Sequence, residues 1–496
     1  MVASGDYSRR EFLGITGGLA AAVALGACSN TSGADRIDPR GPEVSAAEAA
    51  RTRPGAAVTA LDLTASAFDL ALGSLVAPTW AYGDRVPGPE VRMRAGDILE
   101  ARFINDLPVA TTVHWHGIRL RNDMDGAAHV TQDPVPPGGT FVYRFTVPDP
   151  GTYWFHPHLG LQLDRGLYAP LIIENPAEPG AYDRDLVLVL DDWTSGIGDD
   201  PERTLRTLRE GGGAHAQHGN GGGPSSEALG GAGGDVAYPL FLVNGRPPED
   251  PALLEARPGE RLRIRLINAA SDTAFRFALA GHRLTVTHTD GFPVEPVTVD
   301  SLLIGMSERF DVLVTVAEGS FPIVAEAEAK ANRALAYLHA GGPELSPSEL
   351  RARPSELDRD LLDLAQLKAT AGVQLPPGRP ARTYRLVLGG GTDRYRWTIN
   401  GRVAADAEPL EVRAGEKVRL VLQNQTTMFH PMHLHGHTFQ VVEPTPGGPR
   451  KDSLMVLPQQ RLAIDFMADN PGQWVLHCHN VYHQEGGMET LISYVR

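Results

Sequence analysis

From about residue 56 onward, apolar and polar residues alternate over strand-length stretches, and 54 Gly and 39 Pro cut the chain into short segments. A period of two sends successive side chains to opposite faces of a strand, so the pattern predicts sheets rather than helices. The expected class is all-β, in sandwiches of Greek-key order. One strand-turn-strand pattern recurs: Gly96 to Asn105 (A-G-D-x7-N), Gly259 to Asn268 (P-G-E-x7-N) and Gly415 to Asn424 (A-G-E-x7-N). The glycines lie 163 and 156 positions apart, which divides the chain into three domains of one type. Their expected extents are 56–180, 181–342 and 381–496, with a connecting segment at 343–380.

Landmarks count forward from this repeat. Nine positions beyond the Asn stand His114 in the first copy and His433 in the third, but Phe277 in the second, with Leu279 two further on. Five positions beyond Gly151 and Gly472 stand His156 and His477, whereas Gly319 leads to Val324 and then Glu326. The outer domains therefore carry matching histidine edges, and the middle domain keeps the scaffold without them. Its expected role is spacing.

Three segments fall outside the repeat. Within 343–380 a helix is expected from Ser355 to Leu367, capped by Ser355. Residues 211–234 are Gly-rich and read as a flexible loop, with metal collection by His215 and His218 the less favoured alternative. Residues 1–55 read as a leader and a flexible linker. Ser8-Arg9-Arg10-Glu11-Phe12-Leu13 has the form of a twin-arginine signal, and the apolar run Gly14 to Ala27 is too short to span a bilayer. Leu25-Gly26-Ala27-Cys28 has the form of a lipobox that would make Cys28 a lipidated first residue; the alternative is cleavage without an anchor.

The chemistry lies in four histidine clusters that hold 11 of the 17 His. His114-Trp115-His116 and His156-Pro157-His158 each set two imidazoles on one face of a strand. His430-Pro-Met-His433-Leu-His435 follows, with His437 just beyond, and then His477-Cys478-His479 with His483 and Met488. In the last cluster His477 and His479 share one face and Cys478 takes the other, so one strand can serve two metal sites. A thiolate, imidazoles and a weak thioether are the donor set of a blue copper electron-transfer site. His129, His282, His288 and His339 have no partners at ligand spacing and are expected to be structural.

The motifs H-W-H-G, H-P-H, H-P-M-H-L-H-G-H and H-C-H-x3-H-x4-M, in that order, make the chain resemble the three-domain, laccase-like multicopper oxidases over nearly its whole length from about residue 56. Stretches such as Arg121-Asn-Asp-Met-Asp125-Gly126 bring it nearest to exported actinobacterial copper-resistance lipoproteins of that family. The resemblance implies cupredoxin-like domains and four copper ions. By position it gives His430, Cys478, His483 and axial Met488 to a type 1 copper, and His114 and His433 to a type 2 copper. It gives His116, His156 and His479 to one type 3 ion and His158, His435 and His477 to the other. It also implies single-electron oxidation of a reductant coupled to four-electron reduction of dioxygen to water.

Asp125, nine residues after His116, matches the acid that the family places beside its type 2 copper; the alternative is an ordinary turn aspartate. Many relatives carry Glu directly after the second type 1 histidine, where this chain has Gln484 and then Glu485, which leaves the proton route on that side open. A net charge of −15 argues against nucleic acid and anionic lipid as partners. With only 2 Cys, one in the leader and one among the candidate ligands, no disulfide is expected. The chain is expected to act as a monomer, since both ligand edges belong to it. Three functions stay open: a Cu(I) oxidase, aided by soft donors such as Met428, Met432 and Met455; a broad phenol and amine oxidase; and a non-catalytic copper-binding or structural protein.

Overall fold

A computed structural model of the protein describes residues 35–175, 178, 182–211, 225–391 and 393–496. The leader features around Arg9, Arg10 and Cys28, and His215 and His218, lie outside these residues. Among the described residues no helix is long and apolar enough to cross a membrane.

Six sheets of four to six strands come in three successive pairs, beside one two-stranded ribbon. In each pair the first strand lies parallel to the strand after the repeat glycine: Val58 opposite Ile98, Arg184 opposite Leu262, and Arg382 opposite Val418. A parallel neighbour cannot be reached by a tight hairpin, so the chain crosses between sheets in Greek-key fashion. Gly96, Gly259 and Gly415 sit at φ of 84°, 80° and 86°, a left-handed turn that side chains disfavour. The buried asparagine that closes each repeat ties two loops together. The Nδ2 of Asn105 donates to the carbonyls of Val109 and Val135, and that of Asn424 to those of Met428 and Val456.

The middle copy departs by one residue. Asn268 Nδ2 donates to Thr273, five positions on, where Asn105 and Asn424 reach only four. The strand Phe275–Leu279 is therefore shifted by one, and Ala278, not Phe277, pairs with Val324 as His114 pairs with His156 and His433 with His477. An insertion inside a turn leaves strand periodicity intact, so counting alone places Phe277 wrongly. The small Ala278 leaves room that Val324, Leu335 and Leu357 of the connecting segment fill, and Glu326 is paired with Arg353 of the same segment.

The expected helix from Ser355 to Leu367 is replaced by two short 3-10 turns, Ser355–Asp358 and Leu364–Gln366. Between them the backbone is taken by the sheet, with Leu362 N donating to Ser301 O and Ser301 N to Asp360 O. Ser355 caps nothing; Asp363 caps the second turn. The expected flexible linker is also ordered from residue 35. Its helix Pro42–Arg51 begins with Pro at the first turn, buries Val44 and joins the outer domains. Thr146 N donates to Glu48 Oε1, Arg51 bonds Asn470 Oδ1, and Ile37 N donates to Tyr494 O.

Leu357→Ala should lower stability by about 2–5 kcal/mol, the range for emptying a buried leucine site. Denaturant unfolding should register this with copper content unchanged. Loss of copper at full stability would instead tie the connecting segment to the metal sites.

Candidate metal centre

The four strands that carry the histidines are buried almost throughout: His114–His116, Gly151–His156, His430–Leu434 and Gln473–Cys478. One side meets a sandwich interior and the other meets a neighbouring domain, so the usual in-out alternation is lost there. Register places His114 opposite His156 in the first sandwich and His433 opposite His477 in the third. The two edges meet face to face. The His114 ring stacks on His435 and the His116 ring on His433, both at 3.8 Å.

The imidazole and thiolate donors converge on four points. In each of the groups His114/His116/His433, His116/His156/His479, His158/His435/His477 and His430/Cys478/His483, the donor atoms lie within 4.8 Å of one another, and a fifth group, His114/Asp125/His435, brings a carboxylate equally close. His435 Nε2 stands 3.1 Å from His477 Nε2, and His156 Nε2 stands 3.3 Å from His479 Nε2 and 3.4 Å from His116 Nδ1. Most outward nitrogens are tied to acceptors, with His479 Nδ1 the buried exception among the described residues. His114 Nδ1 donates to Asp125 O, His433 Nδ1 to Asp452 O, His156 Nδ1 to Pro157 O and His477 Nδ1 to Cys478 O. A proton on the outward nitrogen leaves a bare lone pair inward. His114 Nε2 and His433 Nε2 are buried with no hydrogen-bond partner, as a shared metal ligand pair requires.

Protonation cannot explain the cluster. Burial, and then the neighbouring imidazoles, hold His116, His156, His435, His477 and His479 well below the usual imidazole range, and His158 at about 3. Neutral imidazoles facing one another at these distances fit a divalent or monovalent metal. At the fourth point Cys478 Sγ lies 3.6 Å from the Nδ1 atoms of His430 and His483, which are 3.0 Å apart. Burial pushes the thiol up, so a soft metal is the partner that would take its proton. Met488 is buried alongside, and its carbonyl accepts from Cys478 N.

Several neighbours were not legible in the sequence. Asp235 Oδ2 accepts from His483 Nε2 at 2.8 Å and from the Tyr395 hydroxyl at 2.6 Å. Gln484 Nε2 donates to Glu489 Oε2 at 2.9 Å, and burial pushes Glu489 up to about 7. Both line a cavity of about 130 Å³ that reaches His156, His158 and His479, with His129 at its rim. Asp125 behaves as more than a turn residue: its Oδ2 accepts from His435 Nδ1 of the opposite domain at 2.8 Å. His437 joins no donor set, since its ring bridges His435 O and the Tyr494 hydroxyl. His282, His288 and His339 bond Ala280 O, Glu178 and Ser320 respectively. Met428 and Met432 are core residues, and Met455 lines a separate cavity of about 360 Å³.

A sandwich repeated three times with metal-binding edges on the outer two defines a family, and comparison agrees. Residues 69–178, 184–343 and 377–493 each match a multicopper oxidase profile. The chain belongs to the multicopper oxidase family. It is 48% identical to the multicopper oxidase MmcO of Mycobacterium tuberculosis, over 99% of this chain and 97% of that protein. A copper resistance protein A homolog of Pseudomonas syringae is 30% identical over 88% of this chain and 92% of its own. Among solved structures, the laccase of Botrytis aclada superposes with a TM-score of 0.74 at 26% identity, covering 95% of this chain and 93% of the laccase. The three sandwiches are thus cupredoxin-like, and the enzyme is an oxidoreductase that uses dioxygen and carries four coppers. When bound, copper supplies one-electron chemistry at the thiolate and reduction of dioxygen at the histidine cluster.

Cys478→Ser removes the soft thiolate while every other candidate ligand but Met488 is a histidine. The blue absorption and the oxidation of any reductant should both vanish, with three coppers per chain retained by metal analysis. A surviving blue band would place the thiolate site elsewhere.

Proposed function

We propose that the enzyme is a Cu(I) oxidase that supports copper tolerance in the cell envelope. Its type 1 copper is assigned to His430, Cys478 and His483 with Met488 axial, and its type 2 copper to His114 and His433. The type 3 pair is assigned to His116, His156 and His479 and to His158, His435 and His477. All these residues lie in one chain, so the proposed active form is a monomer. The name of the Pseudomonas relative supports the copper tolerance role. Export by the twin-arginine route and a lipid anchor at Cys28 follow from the leader sequence.

The observation that carries the choice of reductant is the cover over the thiolate site. His483 is wholly buried, and its outward nitrogen meets the Asp235 carboxylate rather than an apolar slot. Asp272 lies in the same buried region, bonded to Asn480 Nδ2 and Lys330. The apolar cavity of about 360 Å³ beside Met455 touches none of the type 1 ligands. Buried carboxylate beside the thiolate site places negative charge where a cationic reductant would deliver its electron. The complete donor sets leave a non-catalytic role without support.

In this reading the residues divide the work. Asp235 orients His483 and presents negative charge to the incoming ion, and the backbone of Cys478 joins its thiolate directly to His477 and His479. Asp125 has one oxygen on His435 Nδ1 and the other, Oδ1, 3.3 Å from His114 Nδ1, which sets its carboxylate beside the cluster, where proton supply is needed. The cavity beside Gln484 and Glu489 is the polar approach on the other side.

Asp235→Asn removes the charge and keeps the shape. Loss of a charge-assisted contact of about 1.5–3 kcal/mol should cut kcat/KM for Cu(I) by roughly 10- to 100-fold. Oxidation of a phenol should change much less in the same oxygen-consumption assay, and an equal loss for both reductants would sink the Cu(I) assignment. Asp125→Asn should leave anaerobic reduction of the blue copper near normal while slowing its reoxidation by dioxygen by roughly 100-fold or more, as expected when a general acid is lost. Stopped-flow measurement of both half-reactions decides this, and an unchanged reoxidation rate returns Asp125 to a structural role.

A further inference from the structure

Asp452 and Arg309 lie outside every donor set, and nothing above gives them a task. Asp452, wholly buried in the third sandwich, has its carbonyl on His433 Nδ1 at 2.8 Å and its Oδ1 on His116 Nε2 at 3.1 Å. Asp125 mirrors it across the junction, with its carbonyl on His114 Nδ1 and its carboxylate on His435 Nδ1, both at 2.8 Å. Each aspartate thus holds a histidine of its own domain through the backbone and one of the opposite domain through the side chain. The two differ in what stands behind the carboxylate. Among the described residues Asp125 pairs with no arginine, whereas Asp452 receives a fork from Arg309 of the middle domain. Arg309 Nη1 donates to Oδ1 at 2.7 Å and Nη2 donates to Oδ2.

Arg309 is fixed from all three domains. Its Nε donates to Thr152 O of the first at 3.1 Å and its Nη1 to Ser307 O of the second at 3.0 Å, while the guanidinium lies over the Tyr153 ring. Asp290 then accepts from the backbone N–H of Arg309 at 2.9 Å and from those of Asp452 and Ser453 at 3.2 and 3.1 Å. Gly117, the last residue of H-W-H-G, has a left-handed φ of 84°, and a Cβ there would stand 2.6 Å from both Arg309 Nη2 and Asp452 Oδ2, so backbone and ion pair together favour glycine.

The pair matters because His116 is unlike its neighbours. Its inward atom is Nδ1, 3.4 Å from His156 Nε2, so its proton must sit on Nε2. The acceptors there are Asp452 Oδ1 and, at 3.3 Å, Ser453 Oγ. We propose that Arg309, supplied by the domain that binds no copper, is a positioning residue of the histidine cluster: by holding both oxygens of Asp452 it keeps the His116 proton outward and the Nδ1 lone pair facing the metal. The proposal rests on the assignment of His116 and His433 as copper ligands and not on the identity of the reductant.

The test uses copper-loaded full-length protein titrated with a chelator, with blue absorption and the type 2 electron paramagnetic resonance signal followed together. Asp452→Asn should keep the blue band but release cluster copper about 10- to 100-fold more readily, the usual cost of losing a partner behind a ligand. Arg309→Lys keeps the charge but not the fork, and should fall between Asp452→Asn and the unaltered protein. Where Asp452→Asn does not fold, Arg309→Met combined with Asp452→Leu removes the buried pair without leaving a lone charge, and should show the same selective loss. A folded variant that holds cluster copper within about twofold of the unaltered protein overturns the proposal, as does loss of blue and cluster copper in parallel, which is the signature of plain domain glue. His433→Ala separates the premise: retention of its cluster copper would remove the ligand assignment itself.

Discussion

Imidazoles facing one another in a buried junction are the constraint on which this molecule is built. Burial leaves little solvent to satisfy them, so most outward nitrogens are tied to an acceptor inside the protein, His479 Nδ1 excepted among the described residues, and the inward ones face one another without a proton between them. The backbone meets most of the outward demand, through Pro157, Cys478 and the carbonyls of Asp125 and Asp452. The rest falls to carboxylates, whose own charge must then be placed. That sequence of needs, from ring to acceptor to counter-charge, reaches outward until it includes a guanidinium from a domain that, among the described residues, contributes to none of the donor groups.

The middle sandwich therefore does more than hold its neighbours apart. At the edge where the outer domains present histidine, it has Ala278 and Val324 sealed by Leu357. On another face it sends Arg309 and Asp290 into the junction, beside Lys451 and Glu308. Duplicated domains have diverged here by moving polar residues from one edge to another, with the strand-turn-strand repeat left in place.

The histidine sets were legible because ligand chemistry leaves little choice of residue and strand geometry fixes their spacing. The sandwich class was legible from the glycine and asparagine of the repeat, whose turn and tie recur in all three copies. What escaped depends on distance in space. Asp452 and Arg309 are 143 positions apart and Asp235 and His483 are 248 apart, and neither pair has a local pattern. Phe277 was misplaced because one added residue after Asn268 moves a strand without changing its alternation. The segment from Ser355 to Leu367 has helical propensity, but hydrogen bonds from Ser301 override it. The linker ahead of the first domain looked unstructured because its partners, Tyr494 and Asn470, lie at the far end of the sequence.

That last feature has a bearing on how the molecule is made. Gln473 Nε2 bonds Ile37 O across 436 positions, and Arg51 bonds Asn470 across 419. A segment synthesised early can meet the first sandwich through Thr146 at once, but its partners in the third, Asn470, Gln473 and Tyr494, come last, and loop-closure entropy opposes those contacts until that sandwich exists. It then spans the seam between the first and third. Protection of the Ile37 amide, which donates to Tyr494 O, from solvent exchange is accordingly a late event that reports the arrival of the third sandwich.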